Sequence, residues 1–262
     1  MLKLPTKPVE AELNSPKTLI VFGKPKIGKT TSVAGLPNCL VINFEDPEQT
    51  TTGMIHYMQD VSEKNMSELE EAIKEMGYPY DTIALDTVTK LEELCKKEAE
   101  LLYSQTPMGK GWFKRTEDGK LSKESGKYKY KDLLFLPNGA GYPYMTKAFF
   151  KVIERFKKLA PSIIFIAHNK DTMLNKDGVE FSSMDINLTG KNKQLLSQMA
   201  HAIGYMTRRS GKNYIEFLPT DDVLAGCKVR RLDSKEFLIS EYDDKGKLKT
   251  YWEEIFINNK NK

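Results

Sequence analysis

Four short apolar runs punctuate the chain: TLIVF at 18–22, CLVINF at 39–44, TIALD at 82–86 and SIIFIA at 162–167. Each is nearly continuous, without polar alternation, as expected of strands covered on both faces. Helical spacing fills the intervals. SELEEAIKEM at 67–76 opens on Ser67 with Glu70 three residues later, a capping-box start. TVTKLEELCKKEAELLYS at 87–104 reads as one helix. Met145, Phe149, Val152, Ile153, Phe156 and Leu159 form a stripe that would lay 144–160 against a sheet. TMLNKDGVEF predicts a hairpin turning at 175–178, GKNKQLLSQMA a further helix, and 211–257 a series of strands. Strands alternating with helices imply an α/β fold, a mostly parallel central sheet with helices on both faces.

Length and composition fit one soluble domain: 262 residues, 40% hydrophobic and 29% charged. Residues 1–16 read as a flexible arm without a signal-peptide core, and 17–262 as a single domain. No run approaches the ~18 apolar residues of a membrane span. Cys39, Cys95 and Cys227 are far apart and without CxxC spacing, which points to reduced thiols in a cytoplasm and away from zinc. His56, His168 and His201 form no ligand cluster either.

The first strand runs into Gly23, Lys24, Pro25, Lys26, Ile27, Gly28, Lys29 and Thr30, which satisfy GxxxxGK[ST] at every fixed position, with Thr31 following. Glycines let successive N–H groups turn inward on phosphate oxygens, and a helix starting near Lys29 adds its positive end. Lys29 supplies an ammonium for the β- and γ-phosphates, and the Thr30 hydroxyl is a hard oxygen suited to Mg²⁺. In a parallel sheet the ligand lies at the carboxyl ends of the strands, which nominates Glu45, Asp86 and His168 as well. Asp86 can hold a Mg²⁺ shell through water or can N-cap the following helix. Glu45 is the first candidate for a general base, with Asp46 and Glu48 as competitors. His168 either senses the γ-phosphate or is satisfied by local hydrogen bonds.

Charge is uneven. The chain carries only +4 overall. Residues 105–142 contain eight Lys/Arg against four acids, the whole of that excess, interleaved with Trp112, Phe113, Tyr128, Tyr130, Phe135 and Tyr142. Such a mixture can neutralise phosphates and stack bases. By contrast, 169–190 holds Lys170 and Lys176 against four acids.

The order of these parts resembles the RecA-like ATPase family: GKPKIGKT, a second strand closing on NFE, the Walker B strand IALDT, IIFIAHNK ending in a polar sensor, then TGKNKQLLSQMA and a late strand with CKVR. Within it the chain looks most like core-only, phage-encoded recombinases that assist single-strand annealing. The resemblance spans 17–232. It implies ATP and Mg²⁺ as cofactors, Glu45 as the catalytic glutamate, and His168 where the family usually has glutamine. Lys228 and Arg230 would match a basic pair reaching the nucleotide of a neighbouring subunit, or else form a solvated strand edge. DNA-binding loops are expected at 105–142 and 169–190. The implied protein is an ATPase acting on single-stranded DNA as a homo-oligomer, ring or filament, in the cytoplasm of a bacterial host, with a single-strand binding protein as a further partner. A helicase-type motor and a nucleotide-regulated scaffold or loader share the same motifs.

Overall fold

The computed structural model describes residues 13–45, 52–111, 133–176 and 179–257. Its centre is a sheet in which β1 (Thr18–Gly23), β2 (Cys39–Asn43), β4 (Thr82–Asp86) and β5 (Ser162–Lys176) take up the four apolar runs. With β3 (Met54–Tyr57) and β7 (Ala202–Arg209) they form a parallel core in the order β7-β1-β5-β4-β2-β3. The chain then adds β8 (Lys212–Glu216), β10 (Glu236–Tyr242) and β11 (Leu248–Thr250) antiparallel beyond β7. The expected mostly parallel α/β sheet is the one found.

The period-2 geometry of a strand explains why the runs are apolar throughout. Leu19 and Val21 of β1 point into one core, with Val33, Val41, Ile164, Ile166 and Trp252; Ile20 and Phe22 point into the other, with Ile42, Leu85, Phe149 and Phe165. Helix α1 (Lys29–Ala34) packs in the first core. The second is roofed by α2 (Glu63–Glu75), α3 (Val88–Leu94), α4 (Lys96–Ser104), α5 (Tyr142–Phe156) and α6 (Gly190–Met199). The α5 stripe is buried as its spacing required, with Leu159 buried just beyond the helix end.

Several local expectations change. Helix α2 starts at Glu63, capped by Ser62, whose Oγ accepts from Asn65 N; Ser67 lies inside the helix. Met66, one residue before the expected start, is already buried on the same face as Leu69 and Ile73. The single helix expected over 87–104 is two, meeting at Cys95. Strand β5 runs well past 167. With β6 (Val179–Ile186) it forms the antiparallel hairpin expected around 175–178, but paired all the way from Asn169–Ile186 to Lys176–Val179, so that most of 169–190 is hairpin where a second loop was also expected. The 105–142 segment is described at its two ends, which are short 3₁₀ turns around 109–111 and 133–139; Lys114, Arg115, Lys120, Lys123, Lys127, Lys129, Lys131 and their interleaved aromatics Trp112, Phe113, Tyr128 and Tyr130 lie outside the described residues. Among the described residues no helix is long and apolar enough to cross a membrane.

Candidate nucleotide site

Sheet register brings the nominated residues to one edge. Gly23 is level with His168, and Asp86 with Asn43 and Ile166, so β1, β4 and β2 end at one edge beside the loop while β5, between β1 and β4, passes the same level at His168 and runs on. The loop leaves β1 at Gly23, where a Cβ would lie 2.5 Å from Met206 O. It enters α1 through Gly28 at φ 95, a left-handed conformation that favours glycine. Gly28 O then accepts from Ser32 N at 2.9 Å, which closes the first turn.

Lys29 is only 5% exposed. Its Nζ donates to Gly23 O at 2.9 Å and Lys24 O at 2.8 Å, so the ammonium lies across the loop. Burial pushes its pKa down to about 8, while the carboxylates of Asp86 and Glu45 pull it the other way. Thr30 Oγ1 donates to Asp86 Oδ2 at 2.6 Å. The two readings of Asp86 are thereby separated: the N-cap of α3 is Thr87, whose Oγ1 accepts from Lys90 N, and the Asp86 carboxylate turns to Thr30. Burial is the largest influence on Asp86 and raises its pKa to about 6; the Thr30 hydrogen bond opposes this, Glu45 adds to it, and Lys29 and His168 oppose it.

A hydroxyl and a carboxylate held together are hard oxygen donors, the chemistry that suits Mg²⁺. Thr30 and Asp86 thus fit that ion and are the two side chains that would hold it. Among the described residues, no group of three or more His, Cys, Asp or Glu side chains gathers as a separate metal centre.

Glu45 follows β2, its N–H donating to Asn43 Oδ1 at 2.7 Å. Glu45 Oε1 accepts from Thr87 Oγ1 at 3.1 Å and lies 3.4 Å from His168 Nε2. His168 Nδ1 is buried without a hydrogen-bond partner among the described residues. Asp46 and Glu48, the competing carboxylates, lie outside the described residues. Sequence reading missed Thr87 and Asn43, the two residues that orient Glu45. Their only signal was adjacency to Asp86 and Glu45.

Lys228 and Arg230 stand apart from this cluster. They were expected in a late strand, but that strand, β9 (Gly226–Cys227), is two residues long, and both side chains lie exposed in the turn after it. Cys227 is level with Ala202, which pairs with Leu19 at the opposite end of β1 from Gly23, about 13 Å away at ~3.3 Å per residue. Lys228 Nζ donates to Gln198 O at 3.1 Å. The anchored cation is instead Arg231, whose guanidinium donates to the carbonyls of Asn14, Glu254 and Ile255.

The buried Asp86 gives a pH-dependent test. Its folded pKa exceeds the ordinary 3.8, so the folded state binds this proton more tightly than the unfolded chain. Its contribution to stability is therefore greatest below 3.8, declines with rising pH, and is gone above about 6. Asp86→Asn should stabilise the free protein at neutral pH by about 1–3 kcal/mol, seen as several degrees in Tm, and give no gain near pH 4. Equal gain in thermal melts at both pH values would show that ionisation is not the cause.

No curated protein shows significant sequence similarity to the chain. Among solved structures it is similar to the crystal structure of the RadB recombinase, at 10% identity over 90% of this chain and 92% of that one, with a TM-score of 0.45. It is also similar to the crystal structure of the KaiC-like protein PH0186 from the hyperthermophilic archaeon Pyrococcus horikoshii OT3, at 10% identity over 90% and 89%, with a TM-score of 0.42. The profile of the AAA domain family matches residues 15–229, which include the phosphate loop, Glu45, Asp86 and His168. With that match over most of its length and a phosphate loop at the carboxyl edge of a mixed α/β sheet, the chain belongs to the AAA domain family of P-loop nucleoside triphosphatases.

Proposed function

We propose that this protein is a Mg²⁺-dependent ATPase of RecA-like type that assembles as a homo-oligomer on single-stranded DNA, in annealing-type recombination or replication of a phage. The observation that carries the enzymatic part is the convergence of Lys29, the Thr30–Asp86 pair and a Glu45 carboxylate oriented by Thr87. In this reading the loop N–H groups and Lys29 hold the phosphates, and Thr30 with Asp86 hold Mg²⁺, which offsets charge on the transferring phosphoryl group. Glu45 accepts the proton of the attacking water, and His168 lies close enough to orient that carboxylate. Lys228 and Arg230 lie at the opposite end of β1 from their own loop. Their catalytic role would be exerted on the γ-phosphate of a neighbouring copy.

The DNA part rests on the basic and aromatic composition of 105–142 and on the family resemblance. Neutralising Lys110, Lys114, Arg115, Lys127 and Lys129 together should weaken single-strand binding and flatten its salt dependence, by up to about 0.7 of a log–log slope unit per lost phosphate contact. Fluorescence anisotropy across a salt series measures both. Unchanged affinity and slope would remove this segment from the DNA account. A nucleotide-regulated loader for a protein partner is the second reading. The observation favouring it is that 169–190, expected to be a DNA loop, is largely a paired hairpin with more acidic than basic residues.

A further inference from the structure

Behind the phosphate loop, on the side away from Asp86, the apolar core is interrupted by three buried polar side chains. Ser32 of α1 and Ser240 of β10 are fully buried, and Asn213 of β8 is 6% exposed. Ser32 Oγ and Ser240 Oγ share a hydrogen bond of 2.6 Å. Asn213 Nδ2 donates to Ser240 Oγ at 2.9 Å and to Ser32 Oγ at 3.3 Å. The same amide lies directly against the loop: a Cβ on Gly28 would sit 3.0 Å from Asn213 Nδ2.

Ser32 links the loop, this cluster and the C-terminal segment, one polar group to each. Its N–H bonds Gly28 O, its hydroxyl joins the cluster, and its carbonyl accepts from Trp252 Nε1 at 2.7 Å. Thr250 Oγ1 adds a bond to Gly35 O at 3.0 Å. Helix α1 is only six residues long, too short to hold its own axis, so its direction is set by what grips it. That grip comes from β8, β10 and the segment around Trp252. Ser240, Thr250 and Trp252 all lie beyond residue 229, where the family match ends.

The arrangement is poor as a stabilising device. Asn213 Oδ1 is buried with no hydrogen-bond partner among the described residues, a defect that ordinarily costs about 1–3 kcal/mol. An apolar trio would fill the same space without that cost. What a polar trio supplies is direction: hydrogen bonds fix the separation and angle of three elements, whereas apolar packing tolerates sliding. The elements fixed here are the β8–β10 ribbon, α1 and, through Gly28 and Ser32 N, the loop that carries Lys29 and Thr30.

We propose that Ser240 and Asn213 are positioning residues of the nucleotide site, which with Ser32 set the height of Gly28 and thereby the aim of Lys29 and Thr30. The proposal rests on the reading of the loop as a site of ATP hydrolysis. It makes the C-terminal ribbon a working part of that site, and it predicts that disturbing the ribbon is felt first in turnover.

The test compares Ser240→Ala with Phe237→Leu, a change on the same strand whose ring packs on Phe217, away from the trio. Melting temperature, binding of a fluorescent ATP analogue with Mg²⁺, and turnover at saturating ATP are measured for both. Displacement of reacting groups by a fraction of an ångström to an ångström costs about ten- to a hundredfold in rate. Ser240→Ala should therefore lose turnover by about that factor, with a melting temperature no lower than that of Phe237→Leu, which keeps wild-type turnover. Asn213→Ala should repeat the pattern. Wild-type turnover in folded Ser240→Ala and Asn213→Ala overturns the proposal, as does a loss that merely tracks melting temperature across all three variants. Wild-type protein that binds no triphosphate overturns the ATPase reading and this inference together, whereas wild-type turnover insensitive to both substitutions overturns this inference alone.

Discussion

Lys29→Ala should abolish ATP turnover, by about a thousandfold or more, in a protein that remains folded. The ammonium is the only cation whose bonds span the described loop, donating to the carbonyls of Gly23 and Lys24. Charge-stabilising groups of this kind contribute about two to three orders of magnitude singly, and more where they also bind the ground state. The fold should survive because Lys29 is a burden to it. Burial has lowered its pKa to about 8, which means that the folded state holds the charge reluctantly. The unfolded chain regains nothing that the folded chain needs, so thermal melting should change little or rise. Steady-state phosphate release and a melt on the same sample decide the matter. Normal turnover in folded Lys29→Ala would remove the phosphate loop from the chemistry.

Glu45→Gln should separate binding from chemistry. The amide keeps the shape of the side chain and can still accept from Thr87 Oγ1, now at 3.1 Å from the carboxylate, but it cannot take a proton from water. Triphosphate binding should be retained while turnover falls by about a hundredfold to ten-thousandfold. A quench-flow measurement with one enzyme equivalent of ATP distinguishes a blocked chemical step from slow release. If Glu48→Gln shows this pattern and Glu45→Gln does not, the base is Glu48 and Glu45 is a neighbour of Asp86 that tunes its charge.

The parts of this protein legible in its sequence are those whose residues answer to one local rule. TLIVF, TIALD and SIIFIA are apolar because both faces of the central strands are covered, and GKPKIGKT is constrained by the turn it must make. The rest depends on partners far away in sequence. Strand β3, MIHY, is a half-exposed edge strand with no apolar run, and only pairing with β2 makes it a strand. The hairpin turn around 175–178 was legible, but the length of β5 was not: NKDTMLNK has no apolar run, and its strand is defined by pairing with β6. The break between α3 and α4 at Cys95 has no proline or glycine to announce it. At the site, Thr30 and Asp86 were found by motif and strand end, whereas Thr87, Asn213 and Ser240 acquire a role only from the neighbours that folding gives them. Placement at the opposite end of the sheet likewise separates Lys228 and Arg230 from the phosphate loop of the same chain, a fact no motif carries.

Coupling of a Mg²⁺–ATP site to single-stranded DNA, as proposed above, would be read out by steady-state ATP hydrolysis of the protein with Mg²⁺. Turnover is measured without nucleic acid, with single-stranded DNA and with duplex, at fixed salt. Single strands should raise hydrolysis many-fold and duplex little, and chelating Mg²⁺ should abolish the signal. Hydrolysis that is the same in all three conditions would contradict the DNA coupling, and the absence of Mg²⁺-dependent hydrolysis in all of them would contradict an ATPase site altogether.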